Sequence, residues 1–318
     1  MIVCDSSNEV LVEHPVAMPV VNPDGGTSRS FIYRGKIDHA ERHPGGTAVV
    51  TDYKFCGNPQ DYLDTERISY QRELYAAALE HQENIRITEW RFRLVTVPPF
   101  QIGKMKKYPT FEAFEQACQN RLREPGQLVE PEVPMNRARI EQAKWWLWEN
   151  SKRVLDCRRN NRWLHNEHAC HDWSRRCPYM PLCLAVACGA DYESIIDEQY
   201  EVVENSHPEL PEAETNGKDV LTYTSMSTLA RCEMCYQWRF ERKLAKKQDY
   251  ADALWLGSAS HAGMEAFAKD GLEAAYAAID AWAEANPALG QDANKMTAQA
   301  CKARAMVRAA GERWSPNP

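Results

Sequence analysis

Two apolar, alternating segments, FIYRGKID at residues 31–38 and TAVVTDYKF at residues 47–55, flank His43-Pro44-Gly45-Gly46, and both carry a carboxylate at or near their ends. Aromatic and β-branched residues at every second position, joined across a Pro-Gly-Gly turn signal, predict a β-hairpin. In a strand, side chains i and i+2 share a face, so Asp52 and Lys54 project together while Tyr53 points away. Asp38, at the end of the partner segment, reaches the same spot. An isolated Asp-x-Lys pair is ordinarily a surface ion pair worth little. Three further features change that reading.

The first is ERISYQRELYAAALEH, a helical pattern a dozen residues past the lysine, in which Gln71 and Tyr75, spaced by four, share one face. The second is ACHDWSRRCPYMPLC, which places Cys170, Cys177 and Cys183 close together in a loop-like segment. No signal peptide marks the chain for a disulfide-forming compartment, so reduced cysteines grouped in this way point to metal, and a fourth thiolate is needed. The third lies late in the chain. LTYTSMSTLARCEMCYQWRFERKL opens with Ser/Thr capping candidates, runs into a helix and holds Cys232 and Cys235; ALWLGSASHAGMEAF follows with His261.

Three charged groups at one end of neighbouring strands suit phosphodiester hydrolysis, which needs a cation to neutralise the phosphate and a group to deliver water. Composition neither supplies nor opposes this chemistry. The 318 residues are 44% hydrophobic with a formal charge of -7, so affinity for phosphates would rest on local patches. The best of these are Lys152, Arg153, Arg158, Arg159 and Arg162, and then Arg242, Lys243, Lys246 and Lys247. No apolar run is long enough to span a membrane, and the expectation is a soluble cytoplasmic protein. ITEWRFRLVTV reads as a further strand, residues 109–120 and 136–157 as helices, and 251–313 as helical throughout. Trp145, Trp146 and Trp148 read as packing residues rather than a platform for bases.

Taken together, these motifs resemble the PD-(D/E)XK nuclease superfamily, in its RecB-like and AddB-like iron-sulfur branch, which includes phage exonucleases and CRISPR-adaptation nucleases. The matching elements are the Ser-containing helix ending at Cys232, with Glu233 where the family has Pro, Gly257-x-x-x-His261, Gly35-x-Ile37-Asp38, Asp52-Tyr53-Lys54, Gln71-x-x-x-Tyr75 and the three-cysteine tail. Their order differs from the family's, because the Cys232 and His261 helices come last instead of first. Residues 1–204 then read as the catalytic sheet core with its three-cysteine tail, 205–220 as a linker, and 221–318 as the permuted part completing the same domain. Closure within one chain is favoured over a domain-swapped dimer or a cut reading frame.

The resemblance implies an α/β, restriction-endonuclease-like mixed sheet flanked by helices, with a helical subdomain closed by an iron-sulfur cluster. It implies that His261, Asp38, Asp52 and the main-chain carbonyl of Tyr53 bind Mg2+ or Mn2+, that Lys54 orients or deprotonates water, and that Gln71 and Tyr75 hold the strand. It assigns a 4Fe-4S cluster to Cys232, Cys170, Cys177 and Cys183, with Zn2+ as the alternative. The implied activity is a metal-dependent DNA exonuclease acting on single strands or duplex ends in recombination and repair, in a bacterium or a phage-infected host, with a recombinase or helicase as a further partner. A non-catalytic DNA-binding or assembly module carrying the same cluster is the other reading.

Overall fold

A computed structural model of the chain describes residues 3–4, 8–100, 108–172, 175–207, 210–211, 215–247, 252–287 and 292–314. Its centre is an eight-stranded mixed sheet. The first strands in chain order are β1 (Val3–Cys4), β2 (Asn8–Val21), β3 (Thr27–His43) and β4 (Thr47–Cys56), joined as antiparallel neighbours. The expected hairpin turn lies between β3 and β4, with Gly45 and Gly46 at φ 97° and 77°, a region closed to most side chains. Helix α1 (Pro59–Glu66) and helix α2 (Gln71–Glu83) then cross to β5 (Arg86–Thr96), which pairs parallel with β4. After α3 (Phe111–Leu122), the short strands β6 (Leu128–Val129) and β7 (Glu132–Pro134) close the far edge against β5.

Helix α4 (Arg137–Asn160) is capped by the Asn136 side chain and ends in left-handed Asn161, outrunning the expected 136–157 by one turn. The cysteine segment follows, with β8 (His171–Asp172), β9 (Arg175–Arg176), α5 (Met180–Ala187), α6 (Tyr192–Gln199) and β10 (Tyr200–Val202). Within the stretch read as a linker, residues 208–209 and 212–214 lie outside the described residues, but its end is no tether. Strand β11 (Asp219–Leu221) joins the central sheet, parallel to β3 through Asp219↔Phe31 and Leu221↔Tyr33.

The helix expected through Cys232 and Cys235 is broken. Helix α7 (Tyr223–Arg231) stops at Cys232, whose backbone is extended at φ -164°, and α8 (Glu233–Tyr236) restarts it, leading to a π turn and β12 (Leu244–Lys246). The Glu233 carboxylate holds the break, accepting from the Leu164 N–H at 2.8 Å and pairing with Arg153. The remaining chain forms α9 (Asp252–Asp270), α10 (Leu272–Ala285) and α11 (Ala293–Trp314), the continuous helix of the expectation being interrupted at Gly271 and again at Asn286.

The sheet carries a core on each face. One gathers Val16, Val20, Phe31, Tyr33, Ile37, Trp90 and Phe92 under α2, α4 and α7; Trp146 and Trp148 pack against it, while Trp145 is 52% exposed. The other gathers Val95, Phe114, Trp255, Ile279, Met306 and Val307 among α3, α9, α10 and α11. A third, smaller cluster of Tyr179, Leu182, Tyr200, Met234 and Trp238 supports the cysteine segment. Among the described residues no helix is long and apolar enough to cross a membrane.

Candidate active site at a strand fork

The β3–β4 ladder runs from His43↔Thr47 to His39↔Thr51 and ends there. Beyond it β4 stays with β5 as far as Cys56↔Thr96, while β3 continues with β2 and meets β11 only at residues 31–33. Residues 34–38 of β3 therefore border an open fork on that side. Asp38 and Asp52 are the first residues past the ladder. The Tyr53 N–H donates to Asp38 Oδ2 at 2.9 Å, tying one arm of the fork to the other.

Asp52 and Lys54 share a face of β4, as their spacing predicts, and Lys54 Nζ donates to Asp52 Oδ1 at 2.8 Å. Asp52 is 6% exposed, and its second oxygen, Oδ2, has no hydrogen-bond partner. Burial, with help from the nearby Asp38 charge, lifts its pKa to about 7 despite the opposing Lys54 ammonium. Burial pulls the Lys54 ammonium down, but the Asp52 and Asp38 carboxylates outweigh it and raise its pKa above that of an ordinary lysine. Glu66, at the end of α1, is another buried acid beside Lys54; burial raises its pKa against the pull of Lys54 and Arg72.

Helix α2 enters from one side of the fork. Gln71 opens the helix and hydrogen-bonds Tyr75, whose phenol burial lifts to about 12. The Tyr75 ring lies over Gly35, where an added Cβ would come within 2.6 Å of Tyr75 Cε1. A glycine in mid-strand marks such an approach. Helix α9 enters from the other side, with His261 Nδ1 3.9 Å from Asp38 Oδ2 and the His261 ring edge-on to Phe55 at 5.5 Å. Burial lowers the His261 pKa even beside Asp38, which keeps the imidazole neutral and able to act as a ligand.

The structure adds Glu13, which the sequence reading missed. It lies on β2 opposite Asp38, between Val12↔His39 and His14↔Ile37, with an unusual φ of 48°. Glu13, Asp38 and His261 each offer a ligand atom within 4.8 Å of the others. Two carboxylates facing each other across antiparallel strands repel unless a cation lies between them; here Lys36 pairs with Glu13. The sequence signal was one acid inside the otherwise apolar VLVEHPVAMPVV, but its significance depends on strand register. The donor set of carboxylates and one neutral imidazole, with a buried Asp52 oxygen lacking a partner, fits a hard divalent ion such as Mg2+ or Mn2+.

The cysteines form a separate group. Cys177, Cys183 and Cys232 pack against the third core cluster, and the Cys177 N–H donates to the Cys170 carbonyl at 2.9 Å. All four expected ligands are free thiols. A hydrogen bond with Cys235 lowers Cys177 to about 6. Burial raises Cys183 to about 11, and the charges of Cys177, Cys232 and Cys170 add to it; burial followed by Cys177 and Cys232 likewise raises Cys170. The four thiols influence one another's charge, but among the described residues only Glu13, Asp38 and His261 bring three ligand atoms within 4.8 Å of one another. The first basic patch is largely neutralised, Lys152, Arg153, Arg158 and Arg159 each pairing with a carboxylate, whereas in the second Arg242 pairs with Glu193 while Lys243 and Lys247 donate to main-chain carbonyls.

A mixed sheet that forks at an acid and lysine pair, with an acid and imidazole group alongside, defines a class of hydrolytic domain more narrowly than either feature alone. A family model described as the PD-(D/E)XK nuclease superfamily matches residues 7–184 and 220–317, and the chain belongs to that superfamily. No curated protein matches the chain.

Proposed function

We propose that this nuclease is a metal-dependent DNA exonuclease acting on single strands or duplex ends. The observation that carries the reading is the fork itself, where Asp38, Asp52, Lys54, His261 and Glu13 converge from β2, β3, β4 and α9. Glu13, Asp38, Asp52, His261 and the Tyr53 carbonyl would hold Mg2+ or Mn2+, which when bound neutralises the phosphate and acidifies water. Lys54, held as an ammonium by its carboxylate neighbours, orients water and steadies charge on the phosphate rather than accepting a proton. Gln71 and Tyr75 would hold the strand in register, Tyr75 lying against Gly35 and Tyr33 of β3.

Incubation with labelled single-stranded and duplex DNA should give mononucleotides or short products with Mn2+ and none with chelator. Asp52→Ala or Lys54→Ala should lower cleavage by about a thousandfold or more with the fold retained. Glu13→Gln should weaken Mn2+ binding by at least about tenfold. Cleavage retained in the Asp52 or Lys54 variant removes the assignment.

We further propose that Cys170, Cys177, Cys183 and Cys232 hold a 4Fe-4S cluster joining the early and late halves, in a chain whose family motifs are permuted and which closes on itself as a monomer. The setting would be cytoplasmic, in DNA recombination or repair beside a helicase or recombinase. Anaerobically purified protein should be brown with about four irons per chain. Colourless protein with one Zn2+ would replace the cluster with zinc, and a strictly dimeric active species would replace closure with swapping.

A further inference from the structure

Resting on the nuclease reading, we infer that Arg34 is a phosphate-binding subsite for the DNA strand that passes through the fork, one to a few nucleotides from the bond that is cut.

Strand alternation fixes the placement. Tyr33 meets the Tyr75 ring at a centroid separation of 6.5 Å and Gly35 lies directly beneath that ring, so both face α2. Arg34, Lys36 and Asp38 consequently line the opposite face, the side from which Glu13 and His261 meet Asp38. At ~3.3 Å per residue, Arg34 lies ~13 Å along the strand from Asp38, and at ~3.4 Å of axial rise that is roughly four nucleotides of a duplex strand, fewer if the strand is extended.

Arg34 is 8% exposed, yet among the described residues its guanidinium meets no carboxylate. One N–H donates to the Pro211 carbonyl at 2.9 Å. The other four donors meet no protein acceptor among the described residues. A buried cation without an acid partner is costly to keep, and the nearby charges differ: Lys36 has Glu13, Lys54 has Asp52, and Arg153 and Arg158 have Glu233, Asp219 and Glu241. The planar fork of a guanidinium matches a phosphodiester, whose two free oxygens take parallel N–H bonds. Residues 34–38 lie between the end of the β3–β4 ladder and the start of the β11 pairing, so a strand seated at Asp38 that follows β3 in that direction meets Arg34.

The test measures binding of a fluorescent single-stranded oligonucleotide by anisotropy, in Ca2+, with its integrity checked on a gel. Arg34→Gln should raise Kd about tenfold, the loss of one charge-assisted contact, and should reduce the slope of log K against log salt by about 0.7. A second measurement leaves the protein intact: strands carrying one uncharged methylphosphonate at successive positions should lose affinity for the wild type at a single position apart from the cut phosphate, and Arg34→Gln should be indifferent to that substitution. Wild type that cleaves DNA while the folded variant keeps the same Kd and slope overturns the subsite. If Arg34→Gln does not fold, a scan of the wild type with no sensitive position outside the cut phosphate overturns it. Wild type that neither binds nor cleaves DNA overturns the nuclease reading and the subsite with it.

Discussion

Asp52 is where the residue scale decides function. Its carboxyl titrates near 7 because it is buried, and it becomes a useful ligand only after releasing that proton. Below about pH 7 the protonated form dominates and a divalent ion must displace the proton; above it the site is ready. Mn2+ affinity should therefore fall as pH drops from 8 toward 6, by up to about tenfold per unit once below the Asp52 pKa. His261, whose pKa burial lowers, should contribute less to that fall than Asp52. Calorimetric titration with Mn2+ across the pH series checks the expectation, and a flat profile counts against Asp52 as a ligand. The pair itself was legible in sequence, since Asp52 and Lys54 need only the two-residue period of a strand to meet. Glu13 was not, because its value comes from lying opposite Asp38 in the β2–β3 register, and nothing local to residue 13 announces that partner.

Among the elements, the β3–β4 hairpin and α2 follow from pattern because alternation, a Gly-Gly turn and helical spacing are all local signals. The break at Cys232 has no local signal. The stretch from Ser225 to Trp238 keeps a helical rhythm, and the contacts at its break are long-range: the Leu164 N–H donates to Glu233, the Met234 N–H donates to the Leu164 carbonyl, and Arg153 pairs with Glu233. Strand β11 hides in a polar stretch for a similar reason: three residues carry no period, and their strand character is supplied by β3. Where α2 crosses β3 the close approach at Gly35 gives a sharper test. Gly35→Ala places a methyl against the Tyr75 ring, which is held by Gln71 and packed near Tyr33. The expected cost is about 1–3 kcal/mol in urea unfolding, together with a fall in cleavage. Adding Tyr75→Leu should recover the stability but not the cleavage; if Gly35→Ala alone is neutral in both, the tight contact is not what positions Tyr75.

At the scale of the whole molecule, the late helices are not an appendage. Helix α9 supplies His261 to the fork, α11 packs on α3, and Trp314 meets the Tyr53 ring edge-on at 6.3 Å with Arg93 beside both rings. This arrangement predicts that the chain tolerates being joined and reopened elsewhere. From Tyr53 back to Ala48 along β4 is ~16 Å, and from β4 across β3 to β2 is about 10 Å, so Trp314 and the start of β2 lie roughly 20 Å apart. With the short β1 pairing given up, residues 315–318 and 1–7 span at most ~36 Å when extended, which is enough to connect them. Opening the chain between Gly217 and Lys218, in a turn where Asn216 and Gly217 both have positive φ, keeps β11 attached to α7. A protein that begins at Lys218 and passes from Pro318 to Met1 places the His261 helix ahead of the hairpin. It should bind Mn2+ and cut DNA within about tenfold of the original chain, with a thermal midpoint within a few degrees, because no contact of the fork or of either core is severed. A permutant that folds but loses Mn2+ binding would mean that the present order, and not merely the present set of contacts, brings His261 to Asp38.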